Sequence, residues 1–201
     1  MKRLFRNTML VFAAAALVSA GSASATTVQK FTMGDLAKRS ASIVRAKVEG
    51  QYSRRDDINH EIYTYTTINV LEPVKGAASE KQITIRQLGG TVGNLTSYVP
   101  GMPTFRAGEE VVLFLSQRDR AGYPWVMGLQ QGKYSVVTGD NGLKSVRNEL
   151  SGLKLLAPNG TTNEGTTSRD LPLAEFLAGI RTNLNADGRI KVDTSHPTPI
   201  H

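Results

Sequence analysis

The side chains that could do chemistry are three histidines, a few paired carboxylates and one asparagine-rich segment; there is no cysteine. His60-Glu61 opens like a helical zinc-binding pair, but Thr64 stands where the second histidine belongs, and the residues around it alternate as a strand. His196 and His201 lie at the end of the chain. Without cysteine there is no thiolate ligand, thiol nucleophile or redox pair. No Gly-x-Ser-x-Gly elbow sets a serine beside a base. Asp56-Asp57 and Glu109-Glu110 are adjacent carboxylates, and neighbours along a strand point to opposite faces, so neither pair makes a glycosidase dyad by itself. Asn183-Leu184-Asn185-Ala186-Asp187-Gly188-Arg189-Ile190 is similar to the start of a calcium loop, with Asn183, Asn185 and Asp187 as candidate ligands. Thr194 replaces the bidentate acid at the twelfth position, and Asp193 falls one place early. The expectation is therefore no catalytic residue, no cofactor and no metal, with those three residues the nearest approach to a metal site.

A binding surface is easier to find. Between Gly89 and Gly108 the chain carries five glycines and two prolines, too many for regular structure throughout. A loop of that length in a compact domain tends to serve function. It contains Tyr98, Met102 and Phe105, and Trp125 follows near enough in sequence to join them. These four are the candidate binding residues. Gly89-Gly90-Thr91-Val92-Gly93 has no following helix and no Lys-Ser/Thr, so it reads as a bulge or crossover rather than a phosphate loop.

Residues 1–25 have the grammar of a cleaved export signal: Lys2, Arg3 and Arg6, an apolar run from Met9 to Ala20, then Ala23-Ser24-Ala25. The run is shorter than the roughly 20 residues a spanning helix needs. The expected location is the periplasm or the extracellular space, with no integral membrane span in the mature chain. The leader holds three basic and no acidic residues, so its removal lowers the net charge from +7 by three, to +4. That modest, scattered excess does not favour a nucleic-acid partner. A protein or a cell-envelope component is the expected partner.

The rest of the chain supplies the scaffold. Thr32 to Ser40 reads as a short helix with Thr32 and Asp35 as a capping box. Ala41–Gly50, His60–Val74 and Lys81–Leu88 alternate as strands, and Glu109–Ser116 is a continuous apolar strand covered on both faces. Tyr123–Leu129, Lys133–Val137 and Leu143–Val146 follow as short strands. Thr26–Lys30 is a polar lead-in. Residues 157–170 read as a polar linker, 171–185 as a helix capped by Asp170, and 186–201 as a tail. Leu173, Phe176, Leu177, Ile180 and Leu184 form that helix's apolar stripe. Short strands at roughly ten-residue spacing predict a mainly β, α+β domain over 26–156: a small antiparallel OB-like barrel with a short N-terminal helix and a C-terminal amphipathic helix packed on it.

Ser42-Ile43-Val44-Arg45-Ala46-Lys47-Val48, Tyr65 in a long strand, Val74-Lys75-Gly76 and Gly108-Glu109-Glu110-Val111-Val112-Leu113 together resemble the netrin-like module, nearest to tissue inhibitors of metalloproteinases. The resemblance covers about residues 41–116. It implies a five-stranded OB-type barrel and a protease-associated or inhibitory role. Those inhibitors chelate the target's zinc through a disulfide-bonded N-terminal cysteine; here the mature chain would start at Thr26. The reading is an exported, non-catalytic binding module, with a protease-inhibitory module and an unrecognised envelope hydrolase as the alternatives. Intact mass of the protein recovered from fractionated cells should match a chain beginning at Thr26, whereas a full-length, membrane-held species would overturn the export reading.

Overall fold

The computed structural model describes residues 26–189 except Arg169; the export-signal segment, the end of the calcium-loop motif and most of the expected tail lie outside the described residues. The chain is mainly β with two helices. A seven-stranded antiparallel sheet runs in the order β12-β9-β8-β7-β2-β3-β4. Its strands are β2 (Ser42–Arg55), β3 (Ile62–Lys75), β4 (Gln82–Leu88), β7 (Glu110–Leu115), β8 (Lys133–Thr138), β9 (Lys144–Arg147) and β12 (Leu171–Pro172). A hairpin of β5 (Gly90–Val92) and β6 (Leu95–Ser97) and a three-stranded sheet of β1 (Thr26–Gln29), β10 (Leu153–Leu156) and β11 (Thr162–Glu164) complete the described strands. Helix α1 is Met33–Arg39 and helix α2 is Leu173–Arg189.

β2 is the strand the sheet turns on. It pairs with β3 along its whole length and with β7 from Ser42 to Lys47. Its register against β3 shifts three times, between Ile43/Val44, Arg45/Ala46 and Val48/Gly50. Each bulge bends a strand and increases its twist, so the β7-β2-β3-β4 half of the sheet curls. Inside the curl lie Val44, Ala46, Val48, Ile68, Ile83, Ile85, Val111, Leu113 and Leu115. The opposite face of β2, β7 and β9 buries Ile43, Val112, Phe114 and Val146 under Leu36 of α1 and the α2 stripe of Leu173, Phe176, Leu177 and Ile180. β7 is buried on both sides, as its continuous apolar run implies.

No closed barrel forms among the described residues. The ladder ends at β4, and the gap from β4 back to β7 is crossed by one backbone bond, from the Arg86 N–H to the Pro124 carbonyl. The expected Tyr123–Leu129 strand is reduced to an isolated bridge, Leu115↔Val126. Two features stop it. Pro124 has no N–H to give a ladder, and Gly128 and Leu129 take left-handed φ values of 68° and 60° as the chain enters the 3-10 turn Leu129–Gly132.

Local signals are realised where they were expected. Thr32 and Asp35 form the capping box of α1. Lys75 closes the other end, its ammonium donating to the carbonyls of Ala37 (2.8 Å) and Ser40 (2.6 Å), where a cation suits the helix dipole. Other boundaries differ. The lead-in is a strand, β1 (Thr26–Gln29), parallel to β10 (Leu153–Leu156). The 157–170 segment contains β11 (Thr162–Glu164), paired with β10. Asp170 is not a helix cap: Arg147 holds it in a two-pronged ion pair of 2.7 Å contacts, and Leu171–Pro172 form an edge strand before the helix begins. No helix among the described residues is long and apolar enough to cross a membrane.

A row of charges ties α2 to the sheet. Arg181 reaches Glu72 (2.5 Å), Glu72 faces Arg45 (3.5 Å), Arg45 binds Glu110 (2.6 Å) and Glu110 binds Lys144 (2.6 Å). Burial disfavours ionised Glu110, but hydrogen bonds from Lys144 and Arg45 outweigh it and hold its carboxyl below the ordinary 4.5. A carboxyl with a lower pKa in the folded state adds stability that is present above the unfolded value and lost as pH falls through the folded one. The melting temperature should therefore drop on acidification below about pH 4.5. Glu110→Gln should cost stability at neutral pH and flatten that acid limb; an unchanged limb in a pH series of thermal melts would contradict the assignment.

Candidate functional site

The longest two strands overshoot the sheet. β7 leaves β2 at Lys47, while β2 and β3 continue as a pair to Arg55 and Ile62. On this projecting ribbon β4 ends, with Gln87 opposite Thr64 and Leu88 opposite Tyr63. The chain then turns through Gly89 and Gly90 into the β5–β6 hairpin and returns over the ribbon through residues 98–105. Between ribbon and returning loop is an open cleft of about 450 Å³, within the roughly 300–1,000 Å³ common for small-ligand sites.

Two glycines make the crossing possible. Gly89 and Gly90 have φ of 98° and 134°, backbone that side chains rarely tolerate. A Cβ on Gly90 would also overlap Thr64 Oγ1 and Ser53 Oγ. This diglycine, read from sequence as a bulge or crossover, turns the chain from β4 into the β5–β6 hairpin.

The cleft floor is a row of neutral polar groups from three neighbouring strands. Thr64 Oγ1 on β3 donates to the Gly89 carbonyl at 2.7 Å. That uses its single proton, so the 2.9 Å contact between Ser53 and Thr64 is a donation from Ser53 on β2. The Ser53 oxygen keeps its lone pairs for another donor. Gln87 on β4 is 5% exposed. Its Nε2 donates to the Pro103 carbonyl at 3.1 Å, and since a carbonyl only accepts, this contact fixes which way the amide points. Gln87 Oε1 receives no hydrogen bond from any described residue. It is also absent from the polar atoms sealed from solvent, which are Thr66 Oγ1, Arg86 Nε and Asn148 Oδ1. Gln87, itself buried, therefore leaves an open acceptor where it lines the cleft. Met102, Pro103 and Phe105 form the apolar wall, and Tyr98 (82% exposed) stands at the rim, whereas the Tyr52 ring stacks on Tyr65 on the other face of the ribbon. None of the lining residues carries a formal charge. Lys133 lies 5.0 Å from the Phe105 ring centre, is bound to Glu109 at 2.7 Å and does not line the cleft.

Tyr98, Met102 and Phe105 thus meet as expected, and Trp125 does not join them. Its indole N–H donates to Asp119 at 2.9 Å, on the far side of the ribbon. There the Arg86 guanidinium sits 4.5 Å from the centre of Tyr63 and 5.6 Å from that of Trp125, with Asp119 2.6 Å away. Burial opposes ionised Asp119, but the Tyr123 N–H, the Trp125 indole and Arg86 together hold its carboxyl below the usual range. This cluster clamps residues 119–125 onto β3 and β4. Pro124 hooked to the Arg86 backbone carries Trp125 there, a tertiary consequence with no local sign.

The remaining candidates stay apart. His60 is exposed at a turn with φ of 61°. Glu109 and Glu110 point to opposite faces, the first to Lys133 and Ser135, the second to Arg45 and Lys144. Asn183, Asn185 and Asp187 lie on α2, which runs unbroken to Arg189. At 3.6 residues per turn a step of two turns the helix by about 200°, so Asn183 and Asn185 face nearly opposite sides and do not converge as a calcium loop would require; the Asp187 side chain lies outside the described residues. Among the described residues no group of three or more His, Cys, Asp or Glu converges.

Gln87, Ser53 and Thr64 escaped the reading of the sequence. A signal existed: Gln87 shares parity with Ile83 and Ile85, and Thr64 with Ile62 and Ile68. A polar residue on the apolar side of a strand is the informative observation. No protein-family model matches the chain, and no curated protein matches it.

Gly90→Ala should destabilise the fold by more than about 1 kcal/mol and open the β5–β6 hairpin. Chemical denaturation together with amide exchange of residues 90–97 checks it; a wild-type profile would mean that the diglycine is not needed for the crossing.

Proposed function

We propose that the protein is an exported, non-catalytic binding module that holds a partner of the bacterial cell envelope, a protein or a wall component, in the cleft over the β2–β3 ribbon. The observation that carries this reading is the cleft itself: a recess of about 450 Å³ lined by the part-buried Ser53 and Thr64 and the buried Gln87, with the exposed Tyr98 at its rim. Exposed aromatics around a preformed recess are the usual anchors of recognition. Its groups are neutral acceptors and rings, which suit holding a ligand rather than transferring a proton or attacking a bond. The leader-like residues 1–25 support export.

The order of the curled strands also supports an OB-type architecture. β7, β2, β3 and β4 follow one another, and residues 124–127 bridge from β4 back to β7. That supports the netrin-like reading of the scaffold but carries no inhibitory function with it, because fold and function are separable.

The test is partition of the mature protein onto isolated envelope fractions. Wild type should be retained, and Thr91→Arg, which fills the cleft from its exposed edge, should reduce retention about tenfold, the equivalent of roughly 1.4 kcal/mol. Equal retention of both proteins, or none on any envelope fraction, would overturn the reading.

A further inference from the structure

We infer that the ligand of this cleft is a neutral glycan, read through its hydroxyl groups by Gln87 and Ser53 and through a ring face by Tyr98 at the rim. The inference rests on the cleft being the binding site and goes further by naming the chemistry that fits it.

Charge decides the first step. About a fifth of the chain is charged, 20% of all residues, yet no charged side chain lines the cleft. An anion or cation entering it would lose water and gain no counter-charge, which is costly. Phosphates, nucleotides and acidic sugars are therefore poor occupants, and so is an ammonium group.

Donor and acceptor count decides the second. The Gln87 amide spends a donor on Pro103 and leaves Oε1 open. The Ser53 proton goes to Thr64, whose own proton goes to Gly89, so the Ser53 oxygen is left as an acceptor. Gln87, buried, and Ser53, part-buried, both ask the ligand for a donor. An uncharged molecule dense in donors is a polyol, and each sugar ring offers several hydroxyls.

Geometry decides the third. Ser53, Thr64 and Gln87 lie side by side on β2, β3 and β4, so the floor is read across strands. A peptide added to a sheet is read along one strand edge, through its backbone. Tyr98, 82% exposed at the rim, presents flat apolar surface to solvent, suited to the C–H face of a sugar ring.

The experiment is calorimetric titration of the mature protein with defined probes. Chitotetraose, cellotetraose and maltotetraose are the neutral glycans, tetragalacturonate the charged one, and an uncharged Ala-Ser-Gly-Thr peptide with blocked ends the competing class. At least one neutral glycan should bind, and tetragalacturonate should bind at least about tenfold more weakly. Gln87→Met, which removes the acceptor while keeping the volume, should weaken glycan binding about tenfold. Tyr98→Ala lies on the surface, so its melting temperature should not change, and it should weaken binding about fivefold or more. If Gln87→Met fails to fold, Tyr98→Ala and the neutral-to-charged ratio still decide. Glycan binding that is indifferent to Tyr98→Ala places the sugar elsewhere and overturns the inference. Binding of the peptide but no glycan, lost in Tyr98→Ala, overturns the glycan while leaving the binding module standing. No binding of any probe, with Thr91-dependent retention on envelope fractions intact, also overturns the glycan alone.

Discussion

β2 has to serve two partners and two cores at once. It is hydrogen-bonded to β3 on one edge and β7 on the other, and its side chains alternate between the inside of the curl and the face under the helices. A flat strand could not do this, because both apolar sets would lie against planes too open to fill. The three register shifts against β3 bend the strand so that Val44, Ala46 and Val48 close on Ile68, Ile83 and Ile85, while Ile43 turns outward to the helices. The cleft follows from the same strand. Because β7 stops at Lys47 and β2 continues to Arg55, the last part of the β2–β3 pair stands free of the sheet and needs a cover.

Polar interactions then hold the covers in place. Lys75 caps α1, and Arg181 and Glu72 join α2 to β3. Arg86 and Asp119 pin the 119–125 segment across the open side of the curl. Asn148, 2% exposed, spends its amide on the carbonyls of Gln130, Gln131 and Lys133, tying the 3-10 turn to the chain after β9. Removing one member of such a set leaves a buried group without its partner, which costs more than the bond itself contributes. Several ion pairs among the described residues do this work, at seams between elements. The cleft is where they are absent, and its neutrality is as much a feature of the design as the ion pairs elsewhere.

That division bears on function. A scaffold fastened by ion pairs at its seams can carry a recess whose polar atoms have no structural partner. Gln87 Oε1 is such an atom: the residue is buried, half its amide is used to hold Pro103, and the other half is left open where the residue lines the cleft. The loop wall and the strand floor are therefore locked together through the same side chain that offers an acceptor to a ligand.

What the sequence determined by itself is local. The Thr32–Asp35 capping box, the Leu173–Ile180 stripe and the doubly buried β7 were legible because each depends on residues a few positions apart, in a helix or strand whose period is set by backbone geometry. Tyr98, Met102 and Phe105 were legible as a group because one glycine-rich loop carries them all. Tertiary structure decided the rest. Thr26–Gln29 became a strand only because β10 lies beside it, more than a hundred residues later. Trp125 went to the far side of the ribbon because Arg86, Asp119 and Tyr63 assemble there from distant segments. The curl stayed open because Pro124 has one carbonyl and no N–H to offer β4. The cleft's chemistry, finally, depends on which proton goes to which oxygen among Ser53, Thr64, Gly89, Gln87 and Pro103, and a hydrogen bond between strands exists only once the strands are in register.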